Sequence, residues 1–239
     1  MGTFSLVNER DSRTALLIGK EGLSKLREAR IAVIGLGGVG GYAVEALVRA
    51  GIAEILLVDF DRVQESNINR QLIADYDSIG MLKTELYARR LTKLDPQLIV
   101  CSQTCFLDSS NMAELLDGYH YVIDAIDSLN SKIDLLDYCH RNNKFVVSVL
   151  GAGRRLDPSL VRSGDISQSS ACPLARRVRK SLRERGITSG ISAVWSIEEA
   201  SPAVKEQGPD RSPIGSISYM PAIMGLTAAS ILIRKISHS

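Results

Sequence analysis

The chain has four cysteines among its 239 residues, and no two of them form a C-x-x-C pair. Cys101, Cys105, Cys139 and Cys172 therefore lack the spacing of a closed four-thiolate zinc site, and no zinc is expected. Nor do they make a disulfide framework, which points to a reducing compartment. Histidine is as scarce: His120, His140 and His238 are scattered in no triad-like or metal-ligand pattern. No basic-then-apolar leader opens the chain, so the expected location is cytoplasmic. The most apolar late stretch, 219–233, is too short and interrupted for a membrane span, and its spacing suits a packed helix. No internal repeat or low-complexity tract is visible. A net charge of +2 excludes a polycation acting through bulk charge.

What is present is a chain that is 45% hydrophobic and long enough for one large domain. Five strand candidates, 31–34, 54–59, 97–101, 121–126 and 144–150, alternate with helix candidates at 41–50, 80–94, 109–117 and 128–142. That alternation predicts an α/β fold, a Rossmann-like and mostly parallel sheet with helices on both faces. The part after Gly151 is richer in Gly, Ser and Pro and less regular. We read residues 1–239 as a single domain, with a nucleotide-binding core over 1–150 and an integral smaller lobe over 151–239. Residues 200–216, with three prolines and little apolar content, read as a loop that either covers a substrate or is simply disordered.

The chemistry concentrates after the first strand. Gly35, Gly37 and Gly40 fit G-x-G-x-x-G between the apolar run 31–34 and the helix that follows. Glycine suits a tight turn with close backbone approach to phosphate, and the next helix offers its amino end to an anion. Asp59 closes the second strand about twenty residues later, placed to bind a ribose. Asn67, Arg70, Gln71 and Lys83 then add polar and cationic groups that a dinucleotide does not need but a triphosphate does. Asp127, at the carboxyl edge of the fourth strand, could hold Mg²⁺ together with phosphate oxygens, or could simply cap the following helix.

A second concentration is basic. Pro173 opens a helix whose Leu174, Val178 and Leu182 recur every fourth residue and should face the core. Arg176, Arg179, Lys180 and Arg183 then gather opposite, as a phosphate-backbone footprint or as a solvated face. Arg154 and Arg155 could extend the same surface. Cys172, just before this helix, has Arg176 and Arg177 nearby to activate it as a nucleophile; the alternative is a semi-buried thiol at a helix start.

Gly-Leu-Gly-Gly-Val-Gly, Asp59-Phe-Asp-Arg-Val63, Asn67-Ile-Asn-Arg-Gln71, Ile79-Gly-Met-Leu-Lys83 and Asp124-Ala-Ile-Asp127 resemble the ubiquitin-activating-enzyme-like adenylating proteins of the ThiF/MoeB/HesA superfamily. Within it, Arg13-Thr-Ala-Leu-Leu-Ile-Gly19, Gly151-Ala-Gly-Arg-Arg-Leu-Asp-Pro158 and Pro213-Ile-Gly-Ser-Ile-Ser-Tyr-Met-Pro221 are similar to the tRNA threonylcarbamoyladenosine dehydratase branch. The resemblance implies ATP over Gly37 and Gly38 with Asp59 on the ribose. It puts the triphosphate on Asn67, Arg70 and Lys83, and Mg²⁺ on Asp127. It also implies an arginine, Arg13, reaching the neighbouring subunit's ATP in a homodimer, and leaves a sulfur-transfer protein as a further partner. The implied reaction is ATP-dependent cyclisation of a threonylcarbamoyl group on tRNA. Three other readings stand beside it: an activator of a ubiquitin-like sulfur carrier using Cys172, a non-catalytic nucleotide or tRNA binder, and an NAD-dependent dehydrogenase. Relatives that activate sulfur carriers commonly carry two C-x-x-C pairs, which this chain lacks.

Overall fold

The structure, a computed structural model, describes residues 9–202 and 214–238. One sheet of seven strands organises it: β1 (Arg30–Ile34), β2 (Glu54–Val58), β3 (Ile99–Gln103), β4 (Tyr121–Asp124), β5 (Phe145–Val149), β6 (Val161–Asp165) and β7 (Ser192–Ser196). Their order across the sheet is β3-β2-β1-β4-β5-β7-β6. All neighbours are parallel except β6, which lies antiparallel to β7 at the edge. The helices are α1 (Ser12–Glu28), α2 (Gly40–Ala50), α3 (Lys83–Leu94), α4 (Met112–Leu115), α5 (Leu129–Arg141), α6 (Pro173–Glu184) and α7 (Tyr219–Ser237).

Strand alternation divides the core into two layers. Ile31 and Val33 of β1 join Leu26 of α1, Leu47 of α2, Tyr87 of α3 and Ala228 of α7 on one face. Ala32 and Ile34 join Met112 of α4, Leu136 of α5 and Val178 of α6 on the other. Strands buried on both faces read as continuous apolar runs, which is why β1, β2, β4 and β5 are legible without a polar alternation. At 19 residues, α7 extends beyond the expected 219–233 and is apolar and long enough, by length and composition, to cross a membrane. In this fold its Met220, Ala228 and Leu232 are fully buried against the sheet and α2.

Several expectations need correction. β6 and β7 were not anticipated, and both extend the sheet formed by the first 150 residues. β3 begins two residues later than expected, because Leu98 still closes a turn onto Asp95. α3 begins at Lys83 rather than 80, since Gly80 adopts a left-handed φ of 84°. α1, absent from the expected helices, is broken at Gly19, where φ is 76° and ψ 166°. Of the expected cover over 200–216, the greater part lies outside the described residues.

Candidate active site

Where neighbouring parallel strands send their connections in opposite directions, the carboxyl edge of a sheet opens into a crevice. Here that point lies between β1 and β4. A cavity of about 1050 Å³ opens there, lined by the turns after β1, β2, β4 and β5 and by the start of α6.

The glycine turn builds one wall. Gly35 leaves β1 at a φ of +90°, and a side chain there would meet the Ala125 carbonyl oxygen at 2.7 Å. Gly40 lets α2 start against the same turn, since a Cβ would fall 1.8 Å from the Gly35 carbonyl oxygen. Gly37 differs. A Cβ at Gly37 would meet nothing nearer than 3.8 Å, so packing within the protein does not demand glycine there. Bareness at that position makes sense for a ligand lying against the backbone. No side chain caps α2 and its first turn holds no acid, which leaves its amino end available to an anion.

Asp59 is 8% exposed and does more than wait for a ribose. Its carboxylate accepts from the Leu36 amide at 2.6 Å and from the Asp61 amide at 2.7 Å, so it also fixes the glycine turn. Burial pushes its pKa above the ordinary carboxylate value, against the opposing pull of Lys83 and the Leu36 and Asp61 amides. Lys83 is nearly buried, and its Nζ lies 2.6 Å from Asp61 Oδ2. Asp61 is a site residue that the sequence reading overlooked; its signal was the repeated acid in Asp59-Phe-Asp61.

The 64–71 segment coils tightly and brings its polar groups to the cavity. Asn67 Oδ1 accepts from the Gln64 amide, 3.1 Å away, as a capping interaction. Arg70 donates to the Ser66 carbonyl and to Asn69 Oδ1, and pairs with no carboxylate among the described residues. Gln71 is buried, yet its Oε1 has no hydrogen-bond partner among those residues. An orphaned buried amide oxygen facing a cavity is a group awaiting a ligand or water.

Asp127, in the loop after β4, is exposed, lines the cavity and caps nothing: Ser128 is the N-cap of α5, and no side chain caps that helix. The capping reading is thereby removed. Behind Asp127 lies an ion pair that the sequence did not reveal. Lys132 and Asp124 are both fully buried, with Nζ 2.6 Å from Oδ2. Asp124 also accepts from Ser148 Oγ at 2.6 Å and from the Ile126 amide at 3.1 Å, and Lys132 donates to the Val149 carbonyl at 3.0 Å. One buried cation thus ties together the carboxyl ends of β4 and β5, directly beneath the loop that presents Asp127. The described residues contain no cluster of three His, Cys, Asp or Glu side chains fit for a metal. A metal at Asp127 would accordingly take most of its ligands from phosphate and water, as Mg²⁺ commonly does.

Other expected residues fall differently. Arg13 is on the exposed side of α1 and is not among the cavity-lining residues. Cys172 is 6% exposed, and its Sγ caps α6 by accepting from the Ala175 amide at 3.5 Å. A buried capping thiol is poorly placed for thioester transfer to a protein. Cys101 and Cys105 are half-buried against the core, and Cys105 lines the cavity. In α6, Ala175, Val178 and Leu182 are buried in the core, and Leu174 packs against it partly buried while also lining the cavity. Arg176, Lys180 and Arg183 are exposed as expected, but Arg179 folds back onto the Ser169 carbonyl and hydroxyl. Arg177, omitted from the expected stripe, is exposed and lines the cavity.

The chain matches the ThiF family over residues 11–239. It is 38% identical over 229 residues to a tRNA threonylcarbamoyladenosine dehydratase of Bacillus subtilis, covering 90% of this chain and 89% of that protein. With the dehydratase of the same name from Escherichia coli K12 it shares 34% over 249 residues, covering 95% and 93%. The crystal structure of the E. coli tRNA N6-threonylcarbamoyladenosine dehydratase, TcdA, with AMP superposes with a TM-score of 0.88 at 34% identity, over 98% of this chain and 97% of that one. Its complex with ATP gives the same TM-score at 33% identity. The glycine turn, the carboxyl-edge crevice and this end-to-end likeness make one conclusion: the chain belongs to the ThiF family.

Proposed function

We propose that this protein is an ATP-dependent tRNA threonylcarbamoyladenosine dehydratase, and that the cavity between β1 and β4 is where it activates a carboxylate. The observation that carries the reading is the gathering of two kinds of group in one cavity. Gly37 and the cationic Arg70 and Lys83 suit a triphosphate, and Asp127 lines the same cavity with its carboxylate free of partners among the described residues. The relatives of like sequence bear that activity in their names, and one binds ATP and AMP.

A carboxylate resists attack because its leaving group would be oxide. In the proposed reaction a carboxylate oxygen of the threonylcarbamoyl group bonds to the α-phosphorus of ATP, and pyrophosphate leaves. An intramolecular attack on the resulting acyl-adenylate closes a ring and expels AMP, with net loss of one water from the modified nucleoside. This chain's residues supply placement and charge. Gly37, Gly38 and the amino end of α2 receive phosphate, with Gly35 and Gly40 shaping the turn. Asp59 receives the ribose with whatever lone pairs its two backbone bonds leave. Asn67 and Gln71 offer amide groups, and Arg70 and Lys83 stabilise charge on the β and γ phosphates. Mg²⁺, bound by Asp127 and phosphate oxygens, would neutralise the triphosphate. The substrate and ATP both belong to the cytoplasm, where we place the protein. We further propose a homodimer in which Arg13, being outside its own cavity, serves the partner's, and a tRNA surface on α6 centred on Arg176, Lys180 and Arg183, with Arg179 anchoring the helix. On this reading residues 1–150 hold the nucleotide and 151–239 complete the same domain.

The test is direct. Purified protein with ATP, Mg²⁺ and tRNA carrying threonylcarbamoyladenosine should yield a nucleoside lighter by one water, with AMP released. Asp127→Ala should lower the rate by roughly 10²-fold or more while ATP still binds. An unchanged nucleoside alongside confirmed ATP binding would refute the dehydratase reading.

A further inference from the structure

The cavity runs along the carboxyl edge from β2 to β5, about 14 Å at the usual strand spacing. Its volume of about 1050 Å³ reaches the top of the range for a single small ligand. The triphosphate residues occupy only the half beyond β1 and β2. The half beyond β5 has its own character: Arg154, Arg155 and Arg177 line it, and none of them pairs with a carboxylate among the described residues.

Arg155 is the unusual member. It is 3% exposed, and its guanidinium donates only to the neutral Glu198 and Ala171 carbonyls. Its Nε–H has no partner among the described residues. The Glu198 carboxylate forms no ion pair with it and instead accepts from the Leu156 and Asp157 amides. A buried guanidinium with an unpartnered N–H and no directly bonded anion is costly, and an anion that bonds to it relieves the cost. Arg155 reaches the Ala171 carbonyl, one residue before the N-cap of α6, so its charge adds to the amino end of that helix. That end carries no acid in its first turn and only a thiol as cap. Arg177, one turn along α6 and exposed, leads from the cavity to the outward Arg176, Lys180 and Arg183.

We propose that this half of the cavity is a phosphodiester subsite, in which Arg155 and Arg177 hold the phosphate beside the reactive nucleoside while the strand leaves along Arg176, Lys180 and Arg183. The inference rests on the dehydratase reading and deepens it: the substrate nucleotide must leave its stack to enter, as in enzymes that modify single bases. A carboxylate on the substrate could satisfy the same arginines. A substrate without phosphates separates the two sources.

The experiment compares the threonylcarbamoyladenosine nucleoside with a short single-stranded oligonucleotide carrying it, using wild type, Arg177→Gln and Arg155→Gln, with melting curves as the folding control. Arg177 is exposed, so its variant keeps the test alive if the Arg155 variant fails to fold. For Arg177→Gln we expect KM for the oligonucleotide to rise roughly tenfold at unchanged kcat, with KM for the nucleoside unmoved. The log–log salt slope of oligonucleotide binding, read by fluorescence anisotropy without turnover, should fall by about 0.7, the value for one single-strand phosphate. Equal losses on both substrates would overturn the proposal in favour of a carboxylate site, and loss on neither would leave Arg177 a surface charge. If wild type dehydrates neither substrate, the dehydratase reading is decided by the tRNA assay, and the subsite is judged on binding alone. The subsite then stands if the slope still drops in Arg177→Gln, and falls if the oligonucleotide does not bind.

Discussion

Single residues in this site carry separable duties, and the glycines show it best. Gly35 answers to the fold, through its left-handed φ and the Ala125 carbonyl behind it. Gly37 answers to nothing inside the protein. Gly37→Ala should therefore melt within about 1 °C of wild type, yet bind ATP at least tenfold more weakly by calorimetry. Gly35→Ala should lose about 2 kcal/mol or more of stability in denaturant unfolding, because both strain and collision oppose it. A Gly37→Ala protein with unaltered ATP affinity would remove the glycine turn from the phosphate site. The fingerprint glycines, Asp59 and Lys83 were legible in sequence because their chemistry is spaced along neighbouring elements. Asp61 was not, since an exposed-looking acid two residues after another resembles ordinary surface charge until Lys83 is seen folded onto it.

At the scale of elements, the buried Lys132–Asp124 pair clamps the turns after β4 and β5. Lys132→Met leaves Asp124 buried without its cation and should cost about 3–5 kcal/mol by urea unfolding. Adding Asp124→Leu should recover most of that loss, which separates an uncompensated charge from lost packing. The amino-terminal helix is anchored by another buried acid. Burial raises the Asp11 pKa, but hydrogen bonds and charge from Arg10 and Arg27 outweigh it and hold the group below its ordinary value. A carboxyl depressed in the folded state stabilises fully above its unfolded pKa and loses that contribution as pH falls through the folded value. Wild type should accordingly lose stability as pH falls below about 4 more steeply than Asp11→Asn, measured by chemical denaturation; equal slopes would discount the anchor. Strands β1 to β5 could be read from their apolar runs, although β3 forms an edge, whereas β7 inside the sheet was not read. β6, Val-Arg-Ser-Gly-Asp, could not, because an edge strand needs little apolar content and its antiparallel partner is distant in sequence. Lys132 stayed hidden for a related reason: a lysine in a helix is assumed to reach water, and only the tertiary meeting of β4, β5 and α5 turns it inward.

For the whole molecule the open question is one of copies. Arg13 stands outside its own cavity, and Leu16 and Leu17 beside it are 81% and 86% exposed. If Arg13 serves a partner's site, then Arg13→Ala and Asp127→Ala proteins, each inactive alone, should regain activity when mixed and allowed to exchange subunits. Random assortment of two-fold dimers predicts about a quarter of the wild-type rate. No recovery after verified exchange would confine Arg13 to its own chain. The cavity has a consequence for the protein's history as well as its chemistry. Its glycine turn follows β1 and its Asp127 loop follows β4, strands adjacent in space but separated in the chain by two others, β2 and β3. A nascent chain that has emerged only through β3 possesses the glycine fingerprint but not the pocket. Nucleotide can then favour the finished sheet over every shorter or mispaired intermediate, acting during synthesis as a selective brace for the one strand pairing that closes the crevice.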